Sequence, residues 1–170
     1  AETQGLNAIR LADEALDATL SVAARIEMAL LRANQGRARE AQVIAQQALG
    51  FAACEGGSWI GARARATLGY ALAEAGVLTE ASSNYRIAAE AFARAGDLRR
   101  AAVIHGNAAT VLIDRGSLAE ADSQLRAAIE AAQRVGNRAA MAISQHNLGV
   151  VLRLQGASDG ARELQARAMA

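Results

Sequence analysis

The chain has 170 residues and a formal net charge of +1, from 18 basic residues, all of them arginine, against 17 acidic ones; it is 52% hydrophobic, 3% aromatic and contains no proline. The two signs are interspersed and the longest basic run is Arg99-Arg100, read as a solvated helix start, so the basic stripe of a nucleic-acid binder is missing. A single cysteine, Cys54, excludes an internal disulfide and a cysteine-based zinc site. No apolar run approaches the ~18 residues of a membrane helix, and no charged-then-apolar leader opens the chain; a reducing cytoplasm is the expected location. Alanine, leucine and arginine dominate, all strong helix formers, which predicts an all-α protein.

Taken in order, the predicted helices cover residues 2–15, 22–35, 38–54, 59–75, 78–95, 98–115, 118–135, 138–155 and 158–169. Their punctuation is periodic. Glycines fall at 36, 76, 116 and 156, and a second column falls at 56, 96 and 136, each spaced by 40 residues. Glycine in the left-handed conformation after a helix C-terminus explains both columns. Ser58, Asp97 and Asn137 follow as N-caps, and Ser117 with Glu120 has the spacing of a capping box. Alanines recur at 41, 81, 121 and 161, and at 48, 88, 128 and 168; Glu40, Glu80 and Glu120 recur until Gly160 replaces the acid. Met28, Leu68, Ala108 and Leu148 form one further column. Ala29, Gly69, Ala109 and Gly149 form another that admits only small residues, as helices in close approach require.

Each 40-residue unit is therefore a helix pair, and short turns make neighbouring helices antiparallel. Stacked pairs give an α-solenoid whose units bury their faces against neighbours. The expected units are 17–56, 57–96, 97–136 and 137–170, preceded by a half repeat over 1–16, all within one domain spanning 1–170. Because the chain opens on Ala1 and both begins and ends in a second helix, it reads as a piece of a longer protein.

The stretches TLGYALAEAGVLTEASSNYRIAA, NAATVLIDRGSLAEADSQLRAA and NLGVVLRLQGASDGARELQARA resemble tetratricopeptide repeats. The match lies in Leu148-Gly149, then Leu152, the turn at Gly156, Ala161 and Ala168, with equivalents along the whole chain. Two features depart from the family pattern. The family repeat is about 34 residues, so each helix here is longer by almost a turn. The tryptophan that often precedes Leu-Gly is replaced by Arg25, Arg65, His105 and Gln145, and the closing proline is absent. Repeats of this length look like those of kinesin light chains and of large bacterial transcriptional regulators of the maltose-activator type.

The resemblance implies a right-handed array of four repeats plus one leading helix, with the first helix of each pair lining a concave groove. Helical spacing then selects a stripe on each first helix. On the first unit it is Ala23, Ile26, Glu27, Leu30, Ala33 and Asn34, and on the second Arg63, Ala66, Thr67, Tyr70, Ala73 and Glu74. The third supplies Val103, Gly106, Asn107, Thr110, Ile113 and Asp114, and the fourth Ile143, His146, Asn147, Val150, Arg153 and Leu154. The groove candidates for ligand binding are Arg63, Thr67, Tyr70, Asn107, Thr110, Asp114, His146, Asn147, Val150 and Arg153. The resemblance further implies that Asn107 and Asn147 hold a bound peptide's backbone, since an amide both donates and accepts. A clamp for a C-terminal carboxylate is disfavoured, because Arg63 has no basic companions at Thr67, Ile143 and Asn147.

No catalytic constellation accompanies these positions. His105 and His146 lie 41 residues apart, about 100° around their helices once the period is removed, without a metal-ligand motif beside either. Cys54 lacks an acid–base partner, and Trp59 and Phe92 are expected to pack between helices. The glycines are spread rather than clustered as in a phosphate loop. The expected function is a non-enzymatic protein-interaction scaffold without cofactor or metal, binding a peptide or partner helix, or serving as the sensory part of a larger bacterial regulator. The competing reading is a self-association module.

Overall fold

A computed structural model of the chain describes residues 2–53 and 59–156. Among the described residues every regular element is an α-helix: α1 (Glu2–Glu14), α2 (Ala18–Asn34), α3 (Ala38–Ala53), α4 (Trp59–Glu74), α5 (Leu78–Arg94), α6 (Leu98–Asp114), α7 (Leu118–Arg134) and α8 (Arg138–Leu154). The expected helix at 158–169, with Gly160, Ala161 and Ala168, lies outside the described residues, as do Cys54, Gly56 and Ser58. None of the described helices is long and apolar enough to cross a membrane.

The corners explain why the helices stop where they do. Gly36, Gly76, Gly96, Gly116, Gly136 and Gly156 all have positive φ, between 64° and 83°. At Gly76 the glycine N–H donates to the Ala73 carbonyl at 2.9 Å, and the Val77 N–H reaches back to Leu72 at 2.9 Å. The same pair of bonds recurs around Gly36, Gly96, Gly116 and Gly136. It satisfies two carbonyls that a helix end otherwise leaves open, and it needs a left-handed residue at its centre.

The corner between α1 and α2 differs. Leu16, one period before Gly56 and so in the register of the second glycine column, takes the left-handed conformation itself at φ 54°. Asp17 caps the next helix by accepting from the Leu20 N–H at 2.9 Å. As a result α2 starts at Ala18, four residues before its expected start at 22. Asp97 and Asn137 cap as expected, accepting from Arg100 and Ala140. The capping box at Ser117 does not form. Arg115 intercepts both of its members, Nε donating to the Ser117 hydroxyl and Nη2 to Glu120, each at 2.9 Å.

Contacts divide the chain into two compact units, Ala1–Ala88 and Ala89–Ala170. In the first, α2 packs on α1, α3 and α4, and α3 also packs on α4. Its core joins Val22, Ile26, Ala48, Ala52, Ile60 and Ala64, with Leu30 and Leu49 alongside. In the second, α6, α7 and α8 pack mutually around Ala109, Leu112, Ala121, Leu125, Leu148 and Val151. The periodic alanines lie fully inside, with Ala41, Ala81, Ala121, Ala48, Ala88 and Ala128 all at 0% exposure.

The small-residue column has a matching partner column sixteen residues on. A Cβ added at Gly69 would lie 3.0 Å from Tyr85 Cδ1, whereas Ala109 shares its core with Leu125. Glycine thus stands where the opposing residue is the bulkier tyrosine. Of the two aromatics expected between helices, Phe92 is 1% exposed. Trp59 instead opens α4 at 39% exposure, with the Arg63 guanidinium 5.3 Å above its ring.

Candidate functional site

The first helices carry the candidate surface, and the repeat sets its chemistry differently in the two units. In the first unit α2 and α4 are joined by rungs between residues 36 apart, one period less about one helical turn. Arg63 Nη2 donates to Glu27 Oε1 at 3.0 Å. The Tyr70 hydroxyl donates to Asn34 Oδ1 at 2.9 Å. Burial first and Glu74 second push the Tyr70 phenol above its ordinary range. Thr67 lies buried, and its hydroxyl donates to the Arg63 carbonyl one turn earlier at 3.0 Å. Ile26 and Ala33, also on the expected stripe, belong to the interior at 1% and 2% exposure. On this face the polar groups largely satisfy one another.

The second unit leaves the corresponding positions open. The rungs would be Asn107 with Ile143 and Asp114 with Val150, pairs that cannot bond through their side chains. Val103 and Ile143 are 47% and 61% exposed, and Leu154 is 59% exposed. Asn107 is exposed and Asn147 half-buried. Neither side chain makes a hydrogen bond among the described residues. Thr110 is exposed and returns its hydroxyl to the Gly106 carbonyl at 3.2 Å. Asp114, His146 and Arg153 are exposed, while Val150 is half-buried. The face of α6 and α8 therefore alternates accessible apolar side chains with two unengaged amides.

The tryptophan-replacing column turns out to be internal wiring. Arg65 Nη1 donates to Asn84 Oδ1 at 3.4 Å, and His105 Nδ1 meets Gln124 Oε1 at 2.8 Å; both partners lie nineteen residues on, in the second helix of the pair. Arg25 has no polar partner there, since that place is Ile44. It turns back to α1, where its Nη1 and Nη2 donate to the two oxygens of Asp13 at 2.9 and 2.8 Å. Its guanidinium also lies 4.4 Å from the centre of the Phe51 ring. Among the described residues the buried Oε1 of Gln145 has no hydrogen-bond partner. In the sequence Arg25, Arg65 and Gln145 stand out only as departures from a family pattern, and His105 also as a metal-ligand candidate without a motif. The recurrence of a polar residue at 84 and 124 was the available signal.

A second arginine of α2 meets α1 in the same way. Arg32 Nη2 donates to Glu2 Oε1 at 2.6 Å and its Nε lies 3.5 Å from Glu40. The Arg32 hydrogen bond lowers the Glu2 carboxyl below its ordinary range. At the other end of α1, Arg25 and then the Ser21 hydroxyl hold the Asp13 carboxyl down at about 2.

A family model described as tetratricopeptide repeat matches residues 100–170. The crystal structure of BtubC (BKLC) from P. vanneervenii superposes with a TM-score of 0.80 at 22% identity, covering 98% of this chain and 70% of that one. Two crystal structures of a kinesin-light-chain protein from Podosopora anserina, built of nearly identical TPR-like repeats, superpose with a TM-score of 0.78 at 16% identity. They cover 95% of this chain and 80% of theirs. No curated protein matches the chain. At these identities the superpositions establish a shared helical-repeat fold.

Proposed function

We propose, from the premise that this chain is a helical-repeat protein of the tetratricopeptide type, that it binds a peptide or partner helix along the first helices of its repeats. Repeats of this type generally form non-catalytic scaffolds for protein–protein interaction. The observation that carries the finer reading is the face of α6 and α8, where Val103 and Ile143 stand exposed beside the unengaged amides of Asn107 and Asn147. Each amide supplies donors and an acceptor suited to a peptide backbone. Each apolar side chain is about half exposed, so covering what remains stabilises by about 1 kcal/mol, roughly half the value for a whole side chain. On α2 and α4 the equivalent polar groups are joined in the Glu27–Arg63 and Asn34–Tyr70 rungs, so they serve as a rim rather than an anchor. The partner is a segment of another protein, or of the same polypeptide if the array regulates it.

The reading is tested by selecting peptides from a random display library against the folded array and measuring affinity by fluorescence anisotropy. Asn107→Ala and Ile143→Ser are each expected to weaken a selected peptide by about tenfold, the loss of about 1.4 kcal/mol. Arg126→Ala is expected to leave affinity unchanged, because Arg126 pairs within α7 to Asp122. Failure to select any peptide, or equal affinity for all three variants and the wild type, overturns the assignment.

A further inference from the structure

The α1–α2 hairpin is joined by charge and shape more than by apolar burial. Ala12 is the buried side chain of α1, while Leu6 and Leu11 stay 52% and 55% exposed. What α1 offers to α2 is a pattern of three features: Glu2 for Arg32, Gly5 for Met28, and Asp13 for Arg25 and Ser21. A Cβ at Gly5 would collide with Met28 Cε. The two arginine side chains are 6% and 9% exposed, and Met28 is 2% exposed. The mould on α2 is thus deep, specific and complementary to this chain's own first helix.

The connection between these helices is the one described corner whose left-handed residue is not glycine. Leu16 adopts φ 54° with its side chain 91% exposed, so no buried contact compensates its backbone strain. Between Gly5 and Gly36 the chain contains neither glycine nor proline. Glu14, Ala15 and Leu16 are good helix formers, so Asp17, a cap residue, is what opposes extension of α1 straight into α2. Straightening would return Leu16 to the right-handed region. The corner bonds from Leu16 to Asp13 and from Asp17 to Ala12 would be replaced by helical ones, at the loss of the Asp17 cap on Leu20.

In such a rod Glu2, Gly5 and Asp13 are carried away from their own Arg32, Met28 and Arg25. A second copy presents the same mould to them, and two antiparallel rods satisfy both sets reciprocally, as closed two-fold symmetry requires. We propose that α1 is exchanged between two copies of this chain through a straightened Leu16 hinge, giving a helix-swapped dimer. Every α1–α2 contact of the monomer is reused in the dimer, so the balance is governed by protein concentration and the hinge.

The test is size-exclusion chromatography with light scattering on the intact chain over a wide concentration range. The wild type is expected to show a dimer that grows with concentration. Leu16→Gly relieves the strain of the closed corner and also weakens a continuous helix. Strain relief alone is worth about fivefold per hinge, so the dimerisation constant is expected to fall by about twenty-five-fold or more for two hinges. A complementary experiment pairs Asp13→Arg with Arg25→Asp. Mixing the two variants restores both charge pairs only between copies, so the mixture is expected to dimerise more tightly than either variant alone, with circular dichroism verifying that both remain helical. A wild type monomeric at all concentrations overturns the proposal. So does a dimer insensitive to Leu16→Gly, which would use another face.

Discussion

Replacing Gly69 by alanine sets two effects of known sign against each other. Gly69 lies inside α4, where glycine is less favourable than alanine by about 1 kcal/mol. Propensity alone therefore predicts a more stable protein. Against this, the new methyl carbon would sit 3.0, 3.1 and 3.2 Å from Cδ1, Cγ and Cε1 of Tyr85. The tyrosine cannot swing aside readily, because it is only 4% exposed and the contact is with its ring rather than a flexible tip. Overpacking of a closed core costs about 1–3 kcal/mol. With the propensity gain deducted, Gly69→Ala is expected to be destabilising by about 1 kcal/mol, a fall in Tm of about 2–4 °C for a chain of this size. The equivalent pair in the next repeat, Ala109 with Leu125, packs without difficulty. Gly69→Ala combined with Tyr85→Leu should therefore be more stable than the sum of the single changes predicts. Urea unfolding of the four proteins measures the coupling, expected at about 1 kcal/mol or more. A single variant as stable as the wild type, or strict additivity in the cycle, refutes the claim that Tyr85 selects glycine at this position.

Gly149 occupies the same column and is buried in α8; Gly149→Leu should lower stability by about 1–3 kcal/mol, read as a reduced thermal midpoint. Leu16→Gly should stabilise the monomer by about 1 kcal/mol, because the lost side chain is 91% exposed and contributes little burial; denaturant unfolding at low protein concentration checks it. Asp13 is held down at about 2 when folded, below its ordinary carboxylate range. Its pairing with Arg25 thus contributes stability above that range, and the contribution is lost as pH falls toward 2. The thermal midpoint of Asp13→Asn should fall less steeply between pH 5 and pH 2, and an unchanged slope counts against the pairing. Burial first pushes the Tyr85 phenol well above its ordinary range, and Tyr70 is raised as well. Phenolate absorbance should therefore lag behind that of free tyrosine near pH 10 and appear abruptly on alkaline unfolding.

The repeat was legible in the sequence because its determinants are local. A helix that ends in the bonds seen at Gly76 needs a left-handed residue within that turn, so the glycine columns mark the corners directly. The 40-residue period likewise gives Ala41, Ala81 and Ala121 the same place near the start of α3, α5 and α7, and all three are fully buried. The exceptions are also instructive. Leu16 carries the same corner without the glycine, and Arg115 diverts the cap expected of Ser117 and Glu120. The candidate face was legible only as a line along each helix, since spacing gives angle about one axis and says nothing of how a neighbour covers it. Packing of α2 on α3 and α4 put Ile26 inside, and Thr67 is buried beneath the same surface. Packing also joined Arg63 to Glu27 and Tyr70 to Asn34, while Val103 and Ile143 stayed exposed. The sequence by itself determined the helices, their period and most of their corners, through short-range backbone geometry. Tertiary structure alone decided which polar side chains close on one another and which remain available, because that choice depends on distances between residues 36 apart or, for Arg25 and Asp13, across the first hairpin.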